Sequence, residues 1–190
     1  MVKISQTVAI LIDGNNIEIS LHNTFGKNTM MNFDTFVPKL IGNRSLNRLI
    51  YFREGASISP KLAERLHNNF YGVVRPCYKS VDVPMTIQAI QLVDKVDTII
   101  IVSGDGDFID LTKYLKSRGV RIEVASVSQT TSDNLVKEAD FHYEISQDDL
   151  FTFSDKKGSH ASTAFDPNDN KHKDDHKEDD KDKSGKDGKE

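Results

Sequence analysis

The sequence predicts an α/β fold, a Rossmann-like three-layer sandwich with a mainly parallel sheet. Short runs rich in β-branched residues alternate with segments of helical periodicity over the first 150 residues. Strands and helices that alternate in this way form a parallel sheet with helices on both faces. The first strand, TVAILI, is apolar on both faces, which is typical of a strand buried on both sides.

Six segments are predicted to be strands because they are short, rich in β-branched residues and bounded by turn residues. Pro76 cannot donate a hydrogen bond to a neighbouring strand, so the third segment is expected to be weak or to lie at an edge of the sheet. The six segments are residues 7–12, 48–53, 73–78, 98–102, 121–127 and 141–145.

Helical spacing of apolar residues predicts five helices in the gaps between strands. Ser59 and Pro60 are typical of an N-cap followed by proline at the first helical position. Gly119 is well placed to end the fourth helix. The five segments are residues 33–41, 61–70, 83–93, 108–117 and 133–139.

The end of the chain has a different composition from the rest. Residues 154–190 contain 11 acidic and 9 basic side chains and almost no large apolar ones. Such a segment cannot bury enough apolar surface to offset the entropy cost of ordering. We therefore expect one folded domain over residues 1–150 and a disordered charged tail over residues 154–190, which is the kind of segment that keeps a protein soluble or binds other proteins.

Composition also restricts the partners and the compartment. The net charge of -4 and the pI of about 5.9 do not indicate a strong general nucleic-acid binder. A single cysteine, Cys77, excludes an internal disulfide and fits a reducing compartment. The first residues contain no apolar run long enough for a signal peptide or membrane span, so we expect a soluble cytoplasmic protein. A homodimer is compatible with the sequence, but no motif indicates one.

Four aspartates follow predicted strands. Asp13 follows the first strand in IDGNN, Asp82 lies past the third in KSVDVP, and Asp105 and Asp107 follow the fourth in SGDGDF. Parallel strands place these positions at one edge of the sheet, where ligands bind. Carboxylates this close repel one another unless a cation lies between them, and a hard divalent ion is the usual one. In two-metal hydrolysis such ions activate a water and stabilise the leaving oxygen of a phosphodiester.

Each of these aspartates also has an explanation without function. Asp and Gly are ordinary turn residues after a strand, and Asp107 is equally suited to cap the helix that follows it. The same pattern after two very apolar strands, with a third acid nearby, favours the metal site.

The motifs IDGNN, KSVDV and SGDGDF, the last followed by LKSRGVRIEVAS, resemble those of the NYN domain family. The family has a PIN-like ribonuclease fold and includes LabA-like and limkain-type proteins. The resemblance covers about residues 7–145. It implies a divalent-metal site for Mg²⁺ or Mn²⁺ and RNA as the substrate or ligand.

Residue by residue, the resemblance implies metal-binding and catalytic roles for four carboxylates and supporting roles for two neighbours. Asn16 matches the asparagine that orders the first loop, and Ser103 helps to orient the loop after the fourth strand. Gln88 departs from the family, because many relatives carry an Asp at that position. The four carboxylates are those of Asp13, Asp82, Asp105 and Asp107.

Other polar residues near strand ends have two explanations each. Lys79, Arg53 and Arg75 either neutralise a phosphate of the substrate or are solvated surface charges. Asn15 either hydrogen-bonds the substrate or makes the turn. The aromatic residues Tyr51, Phe52, Phe70 and Tyr71 are expected to pack in the core rather than stack on bases.

Two other functions stay open. Haloacid-dehalogenase-type phosphatases also have an Asp after the first strand, but their second Asp, two residues later, is Asn15 here. The second alternative is a non-catalytic RNA-binding or regulatory module on the same fold, which Gln88 and the lack of an obvious basic groove favour.

Overall fold

The computed structural model describes residues 6–55 and 58–153, and these belong to the first of two units into which the chain divides, residues 1–155. The predicted disordered tail, residues 154–190, lies outside the described residues, so its disorder stays a prediction. The eight strands are β1 (Thr7–Asp13), β2 (Thr29–Met31), β3 (Ser45–Glu54), β4 (Val73–Cys77), β5 (Thr98–Val102), β6 (Arg121–Ser126), β7 (Phe141–Glu144) and β8 (Leu150–Thr152).

Six of these strands form one parallel sheet in the spatial order β4-β3-β1-β5-β6-β7. The chain starts in the middle, moves outward to one edge, then crosses back and builds the other half. Successive strands are therefore added in opposite directions on the two sides of the boundary between β1 and β5. Ligands of open α/β sheets bind at such a switch point. The other two strands, β2 and β8, pair antiparallel in a small separate sheet.

Helices cover both faces of the large sheet. Along β1, Val8, Ile10 and Ile12 pack on one face, and Ala9 and Leu11 pack on the other. All five are buried, which explains why these five consecutive positions of the first strand are apolar. The first face carries α1 (Gly14–Phe25), α2 (Phe33–Ile41) and α3 (Pro60–Phe70), and the second carries α4 (Asp82–Leu92), α5 (Ile109–Ser117) and α6 (Asp133–Glu138).

This architecture confirms the predicted α/β sandwich. Each predicted strand and helix is present with bounds within three residues of the expected ones, and Pro76 lies in the edge strand β4. Among the α-helices and strands of residues 6–55 and 58–153, α1, β2 and β8 were not predicted. Within the described part of the chain, every helix is too short or too polar to cross a membrane.

Candidate metal site at the carboxyl edge of the sheet

Asp13 is both the last residue of β1 and the N-cap of α1. One carboxylate oxygen, Oδ1, accepts a hydrogen bond from the backbone N–H of Asn16 at 3.0 Å. The other, Oδ2, accepts one from the hydroxyl of Ser103 at 3.3 Å. The residue is only 4% exposed. Two hydrogen bonds and burial therefore fix the orientation of this carboxylate.

The loop after β5 is tied to the loop after β1. The side-chain oxygen of Asn16 accepts a hydrogen bond from the backbone N–H of Gly104 at 2.9 Å. Within the second loop, the Ser103 hydroxyl accepts from the N–H of Asp105 at 3.2 Å, and the Asp105 carboxylate accepts from the N–H of Asp107 at 3.0 Å. The hydrogen bonds of Asn16 and Ser103 therefore fix the positions of Asp13 and Asp105 relative to each other.

Asp82 reaches the same edge from the start of α4. The Ser80 hydroxyl donates a hydrogen bond to its carboxylate and accepts one from its backbone N–H, the latter at 3.1 Å. Ser80 was not singled out from the sequence. A serine two residues before an aspartate is the available signal, because its hydroxyl can close a local turn onto the backbone.

Three of the four predicted carboxylates come together. One oxygen from each of Asp13, Asp82 and Asp105 lies within 4.8 Å of the other two. Two oxygens bound to one Mg²⁺ or Ca²⁺ lie at most about 4–5 Å apart, because the bonds are about 2.0–2.6 Å long. Three hard oxygen donors at this separation therefore fit a divalent cation.

The electrostatics of the cluster point the same way. Burial raises the pKa of Asp13 from 3.8 to about 6, the hydrogen bonds from Asn16 and Ser103 oppose that rise, and the negative charges of Asp82 and Asp105 add to it. The fold therefore disfavours the ionised form of Asp13, whereas a cation bound among the three carboxylates would favour that form.

The remaining predicted polar residues lie around this cluster. Asp107 is exposed and outside the group of three, so its role as a ligand stays a prediction. Asn15 accepts a hydrogen bond from the backbone N–H of Glu54 at 2.8 Å, which joins the first loop to the end of β3. Lys79 is exposed, and no partner for it exists among the residues described. Gln88 accepts a hydrogen bond from the Arg75 guanidinium at 3.2 Å.

Arg53 forms an ion pair rather than standing as a solvated surface charge. Its guanidinium is paired with the carboxylate of Glu18, which also accepts a hydrogen bond from the Tyr51 hydroxyl at 2.5 Å. Glu18 was not singled out from the sequence, because no local pattern relates a residue of α1 to the end of β3.

The aromatic predictions are mostly confirmed. Tyr51 and Phe52 are buried, and Phe70 packs against the core. The prediction for Tyr71 was wrong, because this residue is 85% exposed. It follows α3 in a left-handed conformation, with a φ of 51°, where the chain leaves the helix. Cys77 is buried, and burial raises the pKa of its thiol, as expected of an unreactive cysteine.

Gly14 in IDGNN is required by close packing. A Cβ atom added there would lie 2.3–2.6 Å from the ring and hydroxyl of Tyr51, a side chain buried in the core. We expect Gly14→Ala to destabilise the protein by about 1–3 kcal/mol and to displace the start of α1, which carries the Asp13 cap. Urea denaturation measures the loss. Gly106→Ala is the matched control, since the nearest atoms to its Cβ would be in the side chains of Ser132, at 3.2 Å, and Ile109, at 3.8 Å. An equal loss in the two variants would contradict the steric explanation.

Comparisons with known proteins support this description of the chain. The sequence model of the NYN domain matches residues 7–147. A comparison with curated proteins finds no significant match. Among solved structures, a Vibrio parahaemolyticus protein of unknown function has a similar fold, with a TM-score of 0.69 and 24% sequence identity over 80% of this chain and 99% of that one. At this identity the structural match supports the fold alone.

Proposed function

The chain belongs to the NYN domain family, and we propose that it is a metal-dependent ribonuclease that hydrolyses phosphodiester bonds in RNA. The observation that carries the proposal is the convergence of the Asp13, Asp82 and Asp105 carboxylates at the switch point of the sheet. NYN domains have a nuclease-like fold and are associated with RNA metabolism, which supports RNA as the substrate.

In this proposal Asp13, Asp82 and Asp105 hold Mg²⁺ or Mn²⁺. A divalent cation in such a site supplies an activated water and stabilises charge on the leaving oxygen. Asn16 and Ser103 hold the two ligand-bearing loops at a fixed separation, and Asn15 fixes the first loop to β3. Asn15, Asn16 and Ser103 would contact RNA only through donor and acceptor atoms that these hydrogen bonds do not already use.

Two exposed charges complete the proposed site. Asp107 lies in the turn that follows Asp105 and is proposed as a fourth acidic group, acting on the water or on a second ion. Lys79, three residues before Asp82, is proposed to bind a phosphate of the substrate.

The test is cleavage of an end-labelled single-stranded RNA by the full chain. We expect cleavage with Mn²⁺ or Mg²⁺ and none with excess EDTA, because in this proposal the bound cation supplies the activated water and stabilises the leaving oxygen. Circular dichroism and a thermal melt in EDTA establish that the metal-free protein is folded. No cleavage of several RNAs by folded, metal-supplied protein would overturn the proposal.

One observation favours RNA binding without cleavage as the second candidate. Gln88 stands where many relatives carry an Asp, and its side chain accepts a hydrogen bond from Arg75 rather than offering a charge to a metal. RNA binding by a protein that does not cleave would select this function. Nothing comparable favours a phosphatase, since Asn15 stands in place of the general acid and its side-chain oxygen is bonded to Glu54.

We also propose a cytoplasmic location. Cys77 is a buried free thiol in a sequence that has no second cysteine, which suits a reducing compartment. Fractionation of cells that express the tagged full chain addresses this point.

A further inference from the structure

Tyr78 is a solvent-exposed aromatic residue at the same edge of the sheet as the candidate metal site. It lies in the segment between β4 and α4, and it is 95% exposed. Within the described part of the chain it takes part in no aromatic pair or hydrogen bond. Single exposed apolar residues are common and need no explanation by themselves. What distinguishes Tyr78 is its position and its neighbours.

The position follows from the direction of β4. This strand is parallel to β1 and β5, so its end at Cys77 lies at the same edge of the sheet as Asp13 and Asp105. Three residues then separate Tyr78 from the metal-site residue Asp82, so their Cα atoms lie at most about 14 Å apart. Tyr78 therefore lies at the same edge of the sheet as the carboxylate cluster and within reach of a ligand that extends from it.

Two cations without ion-pair partners share this side of the site. Lys79 is adjacent to Tyr78, and neither it nor Arg75 pairs with a carboxylate in residues 6–55 and 58–153. Arg75 is in register with Phe52, which is in register with Asp13. Two strand spacings, about 10 Å, therefore separate the Arg75 and Asp13 backbones.

The contacts of Arg75 hold its guanidinium without neutralising it. The group lies 5.9 Å from the centroid of the Phe52 ring and donates a hydrogen bond to the uncharged amide of Gln88. By contrast, Arg53 on the neighbouring strand is paired with Glu18. On the β4 side of the site, two cations without an ion-pair partner in the described residues therefore lie on either side of the exposed Tyr78 along the chain, and Glu54 of β3 is in register with the neighbouring Cys77.

We propose that this surface, formed by Arg75, Tyr78 and Lys79, binds a single-stranded segment of RNA next to the metal site. An unpaired base stacks on the Tyr78 ring, and the two cations bind flanking phosphates. A duplex cannot bind in this way, because its bases are already stacked on one another. The inference rests on the proposed function, and it names the form of RNA that the site accepts.

A tryptophan in place of Tyr78 reports base stacking directly, because the sequence contains no tryptophan. The matched control is Tyr71→Trp, a similarly exposed tyrosine that precedes β4 and so lies at the opposite edge of the sheet. Each full-length variant is titrated in Mg²⁺ with a short single-stranded RNA and with the duplex of the same sequence. A gel run afterwards establishes whether the RNA is intact.

We expect the single strand to quench the emission of the Tyr78→Trp protein, the duplex to quench it much less, and neither to change the Tyr71→Trp protein. Equal quenching at the two positions, equal quenching by the two RNAs, or no quenching at position 78 would each overturn the inference.

Affinity gives a second, independent readout with labelled RNA. Tyr78→Ala should weaken single-strand binding on the order of tenfold to a hundredfold, and Tyr78→Phe should retain it, since stacking does not need the hydroxyl. Lys79→Gln and Arg75→Gln should each reduce the magnitude of the slope of log K against log salt concentration by about one, where K is the binding constant for the RNA. Quenching without cleavage supports this inference and contradicts the ribonuclease proposal. Metal-dependent cleavage without quenching supports the ribonuclease proposal and contradicts this inference.

Discussion

Asp105→Asn is expected to slow metal-dependent RNA cleavage on the order of 10³-fold, since a ligand charge that holds the cation contributes several kcal/mol to the transition state. The fold should survive the change. The side-chain oxygen of the introduced asparagine can still accept the hydrogen bond that Asp105 accepts from the backbone N–H of Asp107 at 3.0 Å. The loss should therefore come from the missing negative charge alone.

Initial rates of RNA cleavage at several Mn²⁺ concentrations measure this effect. Asp110→Asn is the matched control, because Asp110 lies in the first turn of α5, is 95% exposed and contacts Lys113 at 3.3 Å. We expect its rate to stay within about twofold of the unchanged protein, as for a surface substitution. Full activity of the Asp105→Asn protein would contradict the three-carboxylate site. Asp107→Asn tests the fourth predicted ligand, since a loss equal to that of Asp105→Asn would make Asp107 a ligand too.

The fold was predictable where hydrophobic pattern and sheet geometry agree. TVAILI and TIIIV are apolar at almost every position, and only a strand covered on both faces explains such runs. By contrast, α1 buries Ile17 and Leu21 but starts with Gly and two Asn, which are turn residues, so its pattern is weak. The strands β2 and β8 have three residues each and pair across more than 100 positions, and so short a pairing leaves no local signal.

The candidate site was predictable at the level of residues and not of atoms. Asp13 and Asp105 follow strands that proved to be neighbours, so their proximity follows from topology. The bond from Gly104 to Asn16 and the capture of Arg53 by Glu18 depend on loop conformation and on side-chain rotamers, which no periodicity encodes. For the same reason the sequence did not distinguish the core tyrosine Tyr51 from the exposed Tyr71.

Asp13→Asn should stabilise the metal-free protein near neutral pH. Burial, the largest cause, raises the pKa of Asp13 from 3.8 to about 6. Its ionised form therefore costs the folded state about 3 kcal/mol above pH 6, at 1.36 kcal/mol per tenfold change in proton affinity. Well below the unfolded value of 3.8, at about pH 3, the carboxyl group is mostly protonated in both the folded and the unfolded protein, and the cost nearly vanishes. Urea denaturation in EDTA at several pH values measures the difference between the two proteins.

We expect that difference to grow by up to about 3 kcal/mol between pH 3 and pH 7, since the unfolded state loses its proton at lower pH than the folded state. A difference that does not change with pH would contradict the buried, raised-pKa carboxyl group. Saturating Mn²⁺ supplies the control. At a hundred times its dissociation constant, a bound ion stabilises the unchanged protein by about 2.7 kcal/mol, and the variant should lose most of this gain.

The metal and the proton should compete for Asp13. Well below pH 6 the apparent affinity for Mn²⁺ should fall about tenfold per pH unit, because the cation must displace a proton that the folded protein holds. The same carboxylate would then destabilise the fold without metal and stabilise it with metal. A residue chosen only to end β1 and cap α1 would not need this property, because Asn caps a helix as well as Asp does. Opposite effects of Asp13→Asn in EDTA and in Mn²⁺ would therefore assign the carboxylate to metal binding rather than to the turn.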